Sequence, residues 1–570
     1  MVEFEEEKQK KQLEDIRKKE EEELVQVMAE TRYNLPYIDL RAVPIDNESL
    51  RIIPEEDAKK LGVAPFKLVG KKIYVAIISP NKEGIQTLKE ELKKRGFTLY
   101  FYMASHESLK KVWERYADLS YAERSKAGGL DVAGDVLLEI AKKIQTIPDV
   151  KPLIGKLIEE GKSHAISRIL EVIMSGAVAL DASDIHLESE EERMRLRYRI
   201  DGVLHDIMFL DLRIFKLIKN RIKLLSGMKL TIVEAAQDGR FSVFLEGDEV
   251  NIRVSTVPGA YGEGIVMRLL NPKSIKVKLE ELGIHPKLLE VFRREIRKPN
   301  GLILVTGPTG SGKTTTLYSF LREIYNPEIK MITIEDPIEY HLTGITQTQV
   351  EVEHGYTFLA GLRAALRQDP DVVMVGEIRD RETAEICVQA SLTGHIVFST
   401  LHTNDAAGAI PRLIDLGVNP KVIPSALSLA IAQRLLRKLC PDCKKEAKPT
   451  TEEERIIRDT IKTAIERGRD LSSYDITPDQ EIKIWKPGKG SECTRCGDIG
   501  YKGRIAVFEA ILSDEKIAKI IPTMPSDREV RETAFPQGIL TMKEDGIFNK
   551  ILTGMSSLEE LGSVVDLYRD

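Results

Sequence analysis

Three features of the sequence predict a multidomain α/β protein organised around a phosphate-binding loop. Apolar stretches GLILVT, KMITIED, DVVMVGE and HIVFSTL alternate with helical segments across 283–430, as in a largely parallel sheet covered on both faces. The first of these strands runs into GPTGSGKTT, residues 307–315, and a helical segment TTTLYSFLREIY comes directly after it. A chain of 570 residues also exceeds what one hydrophobic core organises, so three or four domains are expected.

Composition narrows the function classes. Hydrophobic residues are 42% and charged residues 31%, with a net charge of −6 and a pI near 6.0, which argues against a broad nucleic-acid-binding face. No apolar run approaches the roughly 18 residues that span a bilayer. The N-terminal MVEFEEEKQKKQLEDIRKKEEEEL lacks the apolar segment of a signal peptide, so a cytoplasmic location is expected. Five cysteines do not make a disulfide framework in so long a chain. Their grouping as two CxxC pairs suggests metal binding in a reducing compartment.

Along the chain, residues 1–36 form a charged extension. Its Glu/Lys-rich start reads as a solvated helix in preference to a partner-binding coiled coil. Residues 37–118 read as a small α/β domain: PFKLVGKKIYVAII is two strands around a Gly-Lys turn, NKEGIQTLKEELKKRG a helix ending on Gly, and FTLYFYMA a further strand. Residues 119–160 are polar and weakly periodic, a linker with helical pieces. Residues 161–282 form a second α/β domain, in which helix ISRILEVIMSGAVAL precedes paired strands from DASDIHLE to YRIDGVLHDI. A further helix and the strands GRFSVFL and EVNIRVSTV complete it. The phosphate-loop domain occupies 283–430, and a cysteine-bearing region fills 431–570.

Gly307-x4-Gly312-Lys313-Thr314 is the P-loop pattern in its required strand-to-helix context. The nucleotide-binding candidates are Gly307, Pro308, Thr309, Gly310, Ser311, Gly312, Lys313, Thr314 and Thr315. The glycines let backbone N–H groups wrap the phosphates at a helix N-terminus. Lys313 supplies a charge to the β- and γ-phosphates of ATP, and the Thr314 hydroxyl is placed to ligate Mg2+. Hydrolysis also needs a carboxylate at the metal and a group that orients water. Glu377 in DVVMVGEIRD stands past the C-terminal edge of a strand, where open α/β sheets bind ligands. It is the second Mg2+ candidate. Glu335 or Glu339, in MITIEDPIEY, is the candidate for orienting water; the plainer alternative is a capping or surface carboxylate.

GPTGSGKTT, TIEDPIEY, DPDVVMVGEIRD and TGHIVFSTLHTNDA resemble, in that order, the Walker A, Asp, Walker B and His boxes of the type II secretion and type IV pilus assembly ATPase family. The resemblance extends to ASDIHLE, YRIDG, QDGRF and RVSTVPGAYGEGIVMRLL upstream, and to QRLLRKLCPDC and GYKGRIAVFEAI downstream. It is dense over about 160–510 and looser over 37–118. It implies a homo-hexameric ring of RecA-like ATPase domains, each preceded by a smaller α/β domain. It also implies arginines that reach the phosphates, Arg253 and Arg268 from the preceding domain and Arg363 and Arg367 from LRAALRQDP. His395 and His402 fit the family's His box, in a γ-phosphate-sensing or interface role. Some members bind cyclic di-GMP through paired RLGxxLVxxG-type motifs in their N-terminal domain. Those motifs are absent here, and docking to a membrane-system partner is the expected role.

Cys440-x2-Cys443 and Cys493-x2-Cys496 supply four thiolates suited to a closed Zn2+ site. The resemblance implies the same arrangement, in a zinc-binding C-terminal subdomain. Cys387 is left over and reads as an inert core residue. Retraction ATPases of the wider superfamily generally lack this metal subdomain and the N-terminal extension, so extension or secretion is favoured. The expectation is a cytoplasmic ATPase motor at the inner face of the cytoplasmic membrane. It would power type IV pilus assembly through an inner-membrane platform protein. The runner-up is type II secretion, driving a pseudopilus. A nucleic-acid motor is a minor alternative that the acidic balance disfavours, and a scaffold without turnover does not need the full residue set.

Overall fold

The computed structural model describes residues 22–568, except 41–42, 44, 51, 70, 83, 95–96, 115, 117–128, 131–133, 161–164, 246–247, 271–276, 475, 478–479 and 489–492. Of the charged helical extension expected over 1–36, residues 1–21 lie outside the described residues, and residues 22–33 are helical. The chain divides into two compact units, residues 1–131 and 132–570.

In the first unit, strands β1 (Val63–Val69) and β2 (Lys72–Ile77) pair antiparallel, and β3 (Thr98–Met103) adds parallel to β2. A parallel neighbour requires a crossover, and the helix Ile85–Lys94 provides it. In β2, Ile73 and the run Val75, Ala76 and Ile77 are fully covered. The helix His106–Glu114 closes the core, its Trp113 Nε1 donating to the Val63 carbonyl at 2.9 Å.

The second unit opens with helices Gly134–Ala141 and Val150–Glu160 where the sequence suggests a linker. Leu137, Val150 and Ile154 are buried and their other described aliphatic residues, such as Leu153 and Leu157, half-buried, so weak periodicity concealed a packed surface. Both helices rest on α1 (Ala165–Ala179). Next, within this unit, come six strands of an antiparallel layer: β4 (Ala182–Ser189), β5 (Arg193–Ile200), β6 (Val203–Asp211), β7 (Gln237–Leu245), β8 (Asp248–Gly259) and β9 (Gly262–Leu270). They lie in the order β7-β8-β9-β4-β5-β6. Alternate residues of β5 are buried, the period-2 pattern of a sheet with one covered face. The covering elements are α1 and α2 (Leu212–Leu225). Tyr198 of β5 donates its hydroxyl to the Ile173 carbonyl of α1 at 2.6 Å. A Cβ at Gly176 would stand only 2.9 Å from that oxygen, which is why the helix carries glycine at the crossing.

The phosphate-loop domain is a seven-stranded sheet. Its strands are β10 (Gly301–Thr306), β11 (Met331–Glu335), β12 (Thr346–Gln349), β13 (Val372–Val375), β14 (Ile396–Leu401), β15 (Leu427–Leu439) and β18 (Tyr501–Leu512). The order is β12-β11-β13-β14-β10-β15-β18, parallel throughout except for the last pair. Every residue of β10, β13 and β14 is buried, as expected for strands covered on both faces. Helices α3 (Pro286–Ile296) and α4 (Lys313–Ile324) pack through Phe292 and Phe320, whose rings meet edge to face at 5.6 Å. Helices α5 (Phe358–Leu366) and α6 (Arg381–Leu392) also flank this sheet.

The sheet continues past residue 430, where the sequence suggests a new region. The paired β15 and β18 form a long antiparallel ribbon whose register sets Leu439 opposite Tyr501. The short pair β16 (Lys445–Ala447) and β17 (Ile484–Lys486) and helix α7 (Thr451–Glu466) branch from its end. Among the described residues, no helix is long and apolar enough to cross a membrane.

Candidate functional site

Parallel strands end at a common edge, and this edge gathers the phosphate loop with Glu335, Glu377 and His402. β10 ends at Thr306, beside Leu401 of β14 and Ala432 of β15. The phosphate loop leaves from there and re-enters as α4 at Lys313. The return path needs backbone that L side chains rarely adopt, with φ of 147° at Gly307 and 90° at Gly312. A Cβ would strike the Gln433 carbonyl oxygen at 2.6 Å from Gly307, or the Gln433 amide nitrogen at 2.7 Å from Gly312. Both positions are therefore closed to other residues by conformation and by contact.

A cavity of about 420 Å3 lies over this loop. Thr309, Gly310, Gly312, Lys313, Thr314 and Thr315 form its floor, and Glu335, Glu377 and His402 line its wall at the ends of β11, β13 and β14. The Lys313 ammonium donates to the carbonyls of Gly307 and Pro308 at 2.8 and 3.0 Å. Burial lowers its pKa, Glu377 opposes that shift and Arg434 adds to it. The Thr314 hydroxyl and the Glu377 carboxylate on one cavity are an all-oxygen donor set, which suits a hard cation such as Mg2+.

Glu377 is braced from two sides. His402 Nε2 lies 3.3 Å from its Oε2, and Arg379 pairs with its other oxygen. The strand ends that carry these groups are stitched together. Thr400 donates its hydroxyl to the Gly376 carbonyl at 2.8 Å, and the Ile378 N–H donates to the Thr400 carbonyl at 3.0 Å.

Glu335 is more deeply placed, with 3% of its surface exposed. Its Oε1 accepts from the Thr333 hydroxyl at 2.5 Å and the Gln347 amide at 3.1 Å, and its Oε2 accepts from the Tyr318 hydroxyl at 2.5 Å. Burial holds its carboxyl above the ordinary range, and the three donors pull the other way. Glu339 also lines the cavity, and its Oε1 lies 3.3 Å from Arg253 Nη1.

The antiparallel layer meets this edge through two arginines in direct cross-strand register, Arg253 of β8 opposite Arg268 of β9. Arg268 lines the phosphate-loop cavity and donates from Nε to Asp184 Oδ1 at 2.8 Å. Arg253 lines an adjoining cavity of about 860 Å3 and donates from Nη2 to the Ile338 carbonyl at 2.8 Å. Arg363 and Arg367 lie apart from these, exposed on α5 and at its C-terminus, and line neither cavity. His395 also lies elsewhere. It precedes β14 and its Nδ1 sits 3.0 Å from the Ala390 carbonyl, whereas His402 comes after the strand. At about 3.3 Å per residue the two ends of β14 are roughly 20 Å apart.

Several residues at this site escape a sequence reading. Tyr318 and Gln347 hold Glu335, Arg379 holds Glu377, and Asp184 holds Arg268. Gln433 accepts from the Thr316 hydroxyl at 2.7 Å, and Arg434 donates to the Asn404 carbonyl at 2.8 Å. Asp184 and Gln433 fall inside the family-like stretches ASDIHLE and QRLLRKLCPDC, which is the only signal they carry. Tyr318 has none beyond its place one and a half turns into α4.

The cysteine pairs converge as the ribbon register requires. Cys440 comes directly after Leu439, its N–H donates to the Gly500 carbonyl at 3.0 Å, and the 493–496 turn closes over it. The four sulfurs lie within 4.8 Å of one another. Cys440 and Cys493 are 3.8 Å apart, and Cys443 and Cys496 3.7 Å. A tetrahedral zinc–thiolate site with bonds of about 2.3 Å has sulfur edges of about 3.8 Å, so this donor set fits Zn2+. The Gly500 N–H donates to Cys496 Sγ at 3.3 Å, a second-layer contact that favours thiolate. Cys387 is fully buried in α6, and its thiol is pushed up to about 12 by burial.

Comparison with known proteins adds independent findings. A family described as "Type II/IV secretion system protein" matches residues 159–563, and the MshEN domain matches residues 33–123. Type II secretion system protein E of Aeromonas hydrophila is 43% identical over 405 residues, covering 71% of this chain and 76% of that protein. The type IV pilus assembly ATPase PilB of Myxococcus xanthus is 34% identical over 531 residues, covering 93% of this chain and 89% of that protein. Among solved structures, the ATPase DotB of Yersinia pseudotuberculosis aligns with a TM-score of 0.50 at 20% identity. It covers 70% of this chain and 94% of its own, a likeness of fold.

Proposed function

The chain belongs to the type II/IV secretion system protein family and is an ATPase of that family, and from this premise we propose that it is a hexameric motor powering type IV pilus assembly. In this reading it works at the inner face of the cytoplasmic membrane, and rotation of its domains acts on an inner-membrane platform protein. The observation that carries the reading is the meeting of Arg268, from the antiparallel layer, with the phosphate loop in one cavity. A charge that can approach or leave the γ-phosphate only with its whole layer couples transition-state stabilisation to domain movement.

Each residue then has its own share of the work. The backbone of residues 307–315 and the Lys313 ammonium grip the β- and γ-phosphates. Thr314 and Glu377 hold Mg2+, which when bound neutralises phosphate charge. Glu335 or Glu339 orients the attacking water, with Glu335 the better positioned of the two to keep a fixed orientation. His402 reports the state of Glu377 to the loop after β14. Arg253 and Arg268 supply positive charge from the preceding layer. Arg363 and Arg367, exposed and away from both cavities, are suited to reach a neighbouring subunit, and His395 to a packing or interface role. Cys440, Cys443, Cys493 and Cys496 hold a structural Zn2+.

Type II secretion is the second reading, favoured by the 43% identity to the Aeromonas protein. Capture from native membranes in the presence of ATP separates the two. Recovery of a pilus platform protein supports the first, and recovery of a secretion platform protein replaces it with the second. Wild-type ATP turnover by K313A or E377A protein would remove the motor reading altogether. DNA-stimulated turnover that weakens steeply with salt would point to a nucleic-acid motor.

A further inference from the structure

The antiparallel layer carries a row of charge of which the catalytic reading uses only Arg253 and Arg268. Reading across the sheet in register, Arg240 of β7 faces Arg253 of β8, which faces Arg268 of β9. Arg268 faces Asp184 of β4, which faces Arg199 of β5. Directly opposed residues share a face, and like charges so placed repel. Four arginines thus stand in one line with a single carboxylate among them.

That carboxylate is the best-buried member of the row, its side chain 4% exposed. A buried charge is retained only when paired and hydrogen-bonded. Asp184 Oδ1 accepts from Arg268 Nε at 2.8 Å, while Oδ2 accepts from the Ser183 hydroxyl at 2.8 Å and lies 3.4 Å from Arg199 Nε. Arg268 is itself half-exposed and lines the phosphate-loop cavity. A guanidinium on a flexible stem would otherwise swing away from Arg253 and into solvent. Bonding Nε to a rigid strand carboxylate fixes the plane of the fork and leaves its two terminal nitrogens for two oxygens of a phosphate.

We propose that Asp184 is a positioning residue for ATP turnover, holding the Arg268 guanidinium in the orientation that meets the nucleotide phosphates. Asp184 touches no phosphate itself and acts through Arg268. The proposal rests on the reading of Arg268 as a phosphate contact. Its neighbours assign the direction of the effect: without the carboxylate, repulsion from Arg253 on one side and Arg199 beyond turns Arg268 away from the cavity.

The test is a double-mutant cycle on the full-length protein, using D184N, D184A, R268A and D184A/R268A, with R199Q as control. Steady-state ATP hydrolysis, nucleotide binding and melting temperature are measured for each. The expected result is a loss in kcat of roughly 10–100-fold for D184A, the scale of a misoriented group, with a smaller loss for D184N, which keeps an acceptor for Nε. Nucleotide affinity stays within about threefold, the double variant is no slower than R268A, and R199Q turns over like the wild type. A wild-type rate in both Asp184 variants beside an impaired R268A overturns the proposal alone. So does a double variant whose loss is the product of the single losses, or an R199Q as slow as D184A. R268A at the wild-type rate overturns the reading of Arg268, and the proposal with it. Because D184N preserves shape, a misfolded D184A leaves the D184N, R268A and D184N/R268A comparison to decide.

Discussion

The Tyr318 hydroxyl donates to Glu335 Oε2 at 2.5 Å, from a helix whose first residue is the phosphate-loop Lys313. One rigid element therefore carries both the phosphate-gripping cation and the donor that stabilises a buried carboxylate. Burial raises the pKa of Glu335 and its hydrogen bonds oppose that rise. Y318F removes the side-chain donor to Oε2, so the pKa moves further up. The acid limb of the kcat–pH profile is expected to shift to higher pH. Stability falls by about 1–3 kcal/mol, the range for a buried acceptor left without its partner. An unchanged acid limb would show that Glu335 does not govern turnover.

The same carboxyl has a linked effect on stability. Its folded-state pKa lies above the unfolded value, so the folded protein binds the proton more tightly. The contribution is fully present below the unfolded pKa and is lost as pH rises through the folded one. E335Q, which carries no titrating group, is expected to flatten that fall. Denaturant unfolding of wild type and E335Q across the weakly acidic to neutral range measures it. An identical pH slope in the two proteins would count against a raised Glu335.

Glu377 makes a different case, because it sits on the cavity wall with His402 and Arg379 on its two oxygens. E377Q keeps the shape and removes the charge. Nucleotide binding is expected to persist while turnover drops by about 100-fold or more, the scale of losing one preorganised electrostatic group. Binding of a fluorescent nucleotide analogue, measured beside single-turnover hydrolysis, separates the two effects. Equal loss of binding and turnover would make Glu377 a binding group only.

Much of this site could be read before folding, and the reason is geometric. Glu377 and His402 come just after short apolar strands, and parallel strands deliver the residues at their C-terminal ends to one edge. The phosphate loop is local in sequence and carries its own conformational requirements at Gly307 and Gly312. The hidden part depends on closure between distant segments. Asp184 and Arg268 are 84 residues apart, and only the register of β4 against β9 joins them. A domain boundary at 430 cuts the β15–β18 ribbon, because its partner strand comes more than sixty residues later. The helices within 134–160 were obscured because they are short and bury only Leu137, Val150 and Ile154 fully, too few positions to set a clear period.

Arg253 and Glu339 pair at 3.3 Å, and each side chain is more than a quarter exposed. A pair this accessible contributes little to stability, about 0–1 kcal/mol. R253A is therefore expected to melt within a few degrees of the wild type. If Arg253 supplies charge to the phosphates, its turnover nevertheless falls by about 100-fold. Differential scanning calorimetry beside hydrolysis kinetics tests the dissociation of the two. A large drop in melting temperature with proportionate loss of activity would assign Arg253 to the fold instead.

The cysteine cluster allows a test that does not depend on activity. Four sulfurs at zinc–thiolate spacing close the end of the β15–β18 ribbon, whereas Cys387 is sealed in the core with its thiol raised to about 12. Metal analysis is expected to find one zinc per chain, with none of the cluster thiols reacting rapidly. Prolonged chelation should expose the four cluster cysteines to a thiol reagent while Cys387 stays protected until global unfolding. C440S and C493S should each abolish zinc retention, because three thiolates leave the tetrahedron open to water. The loss is expected to loosen the β16–β17 pair and α7 first, since these branch from the zinc end of the ribbon. Hydrogen exchange should then rise there before it rises in β10, β13 or β14. A native protein with no bound zinc and four freely reactive thiols would refute the site.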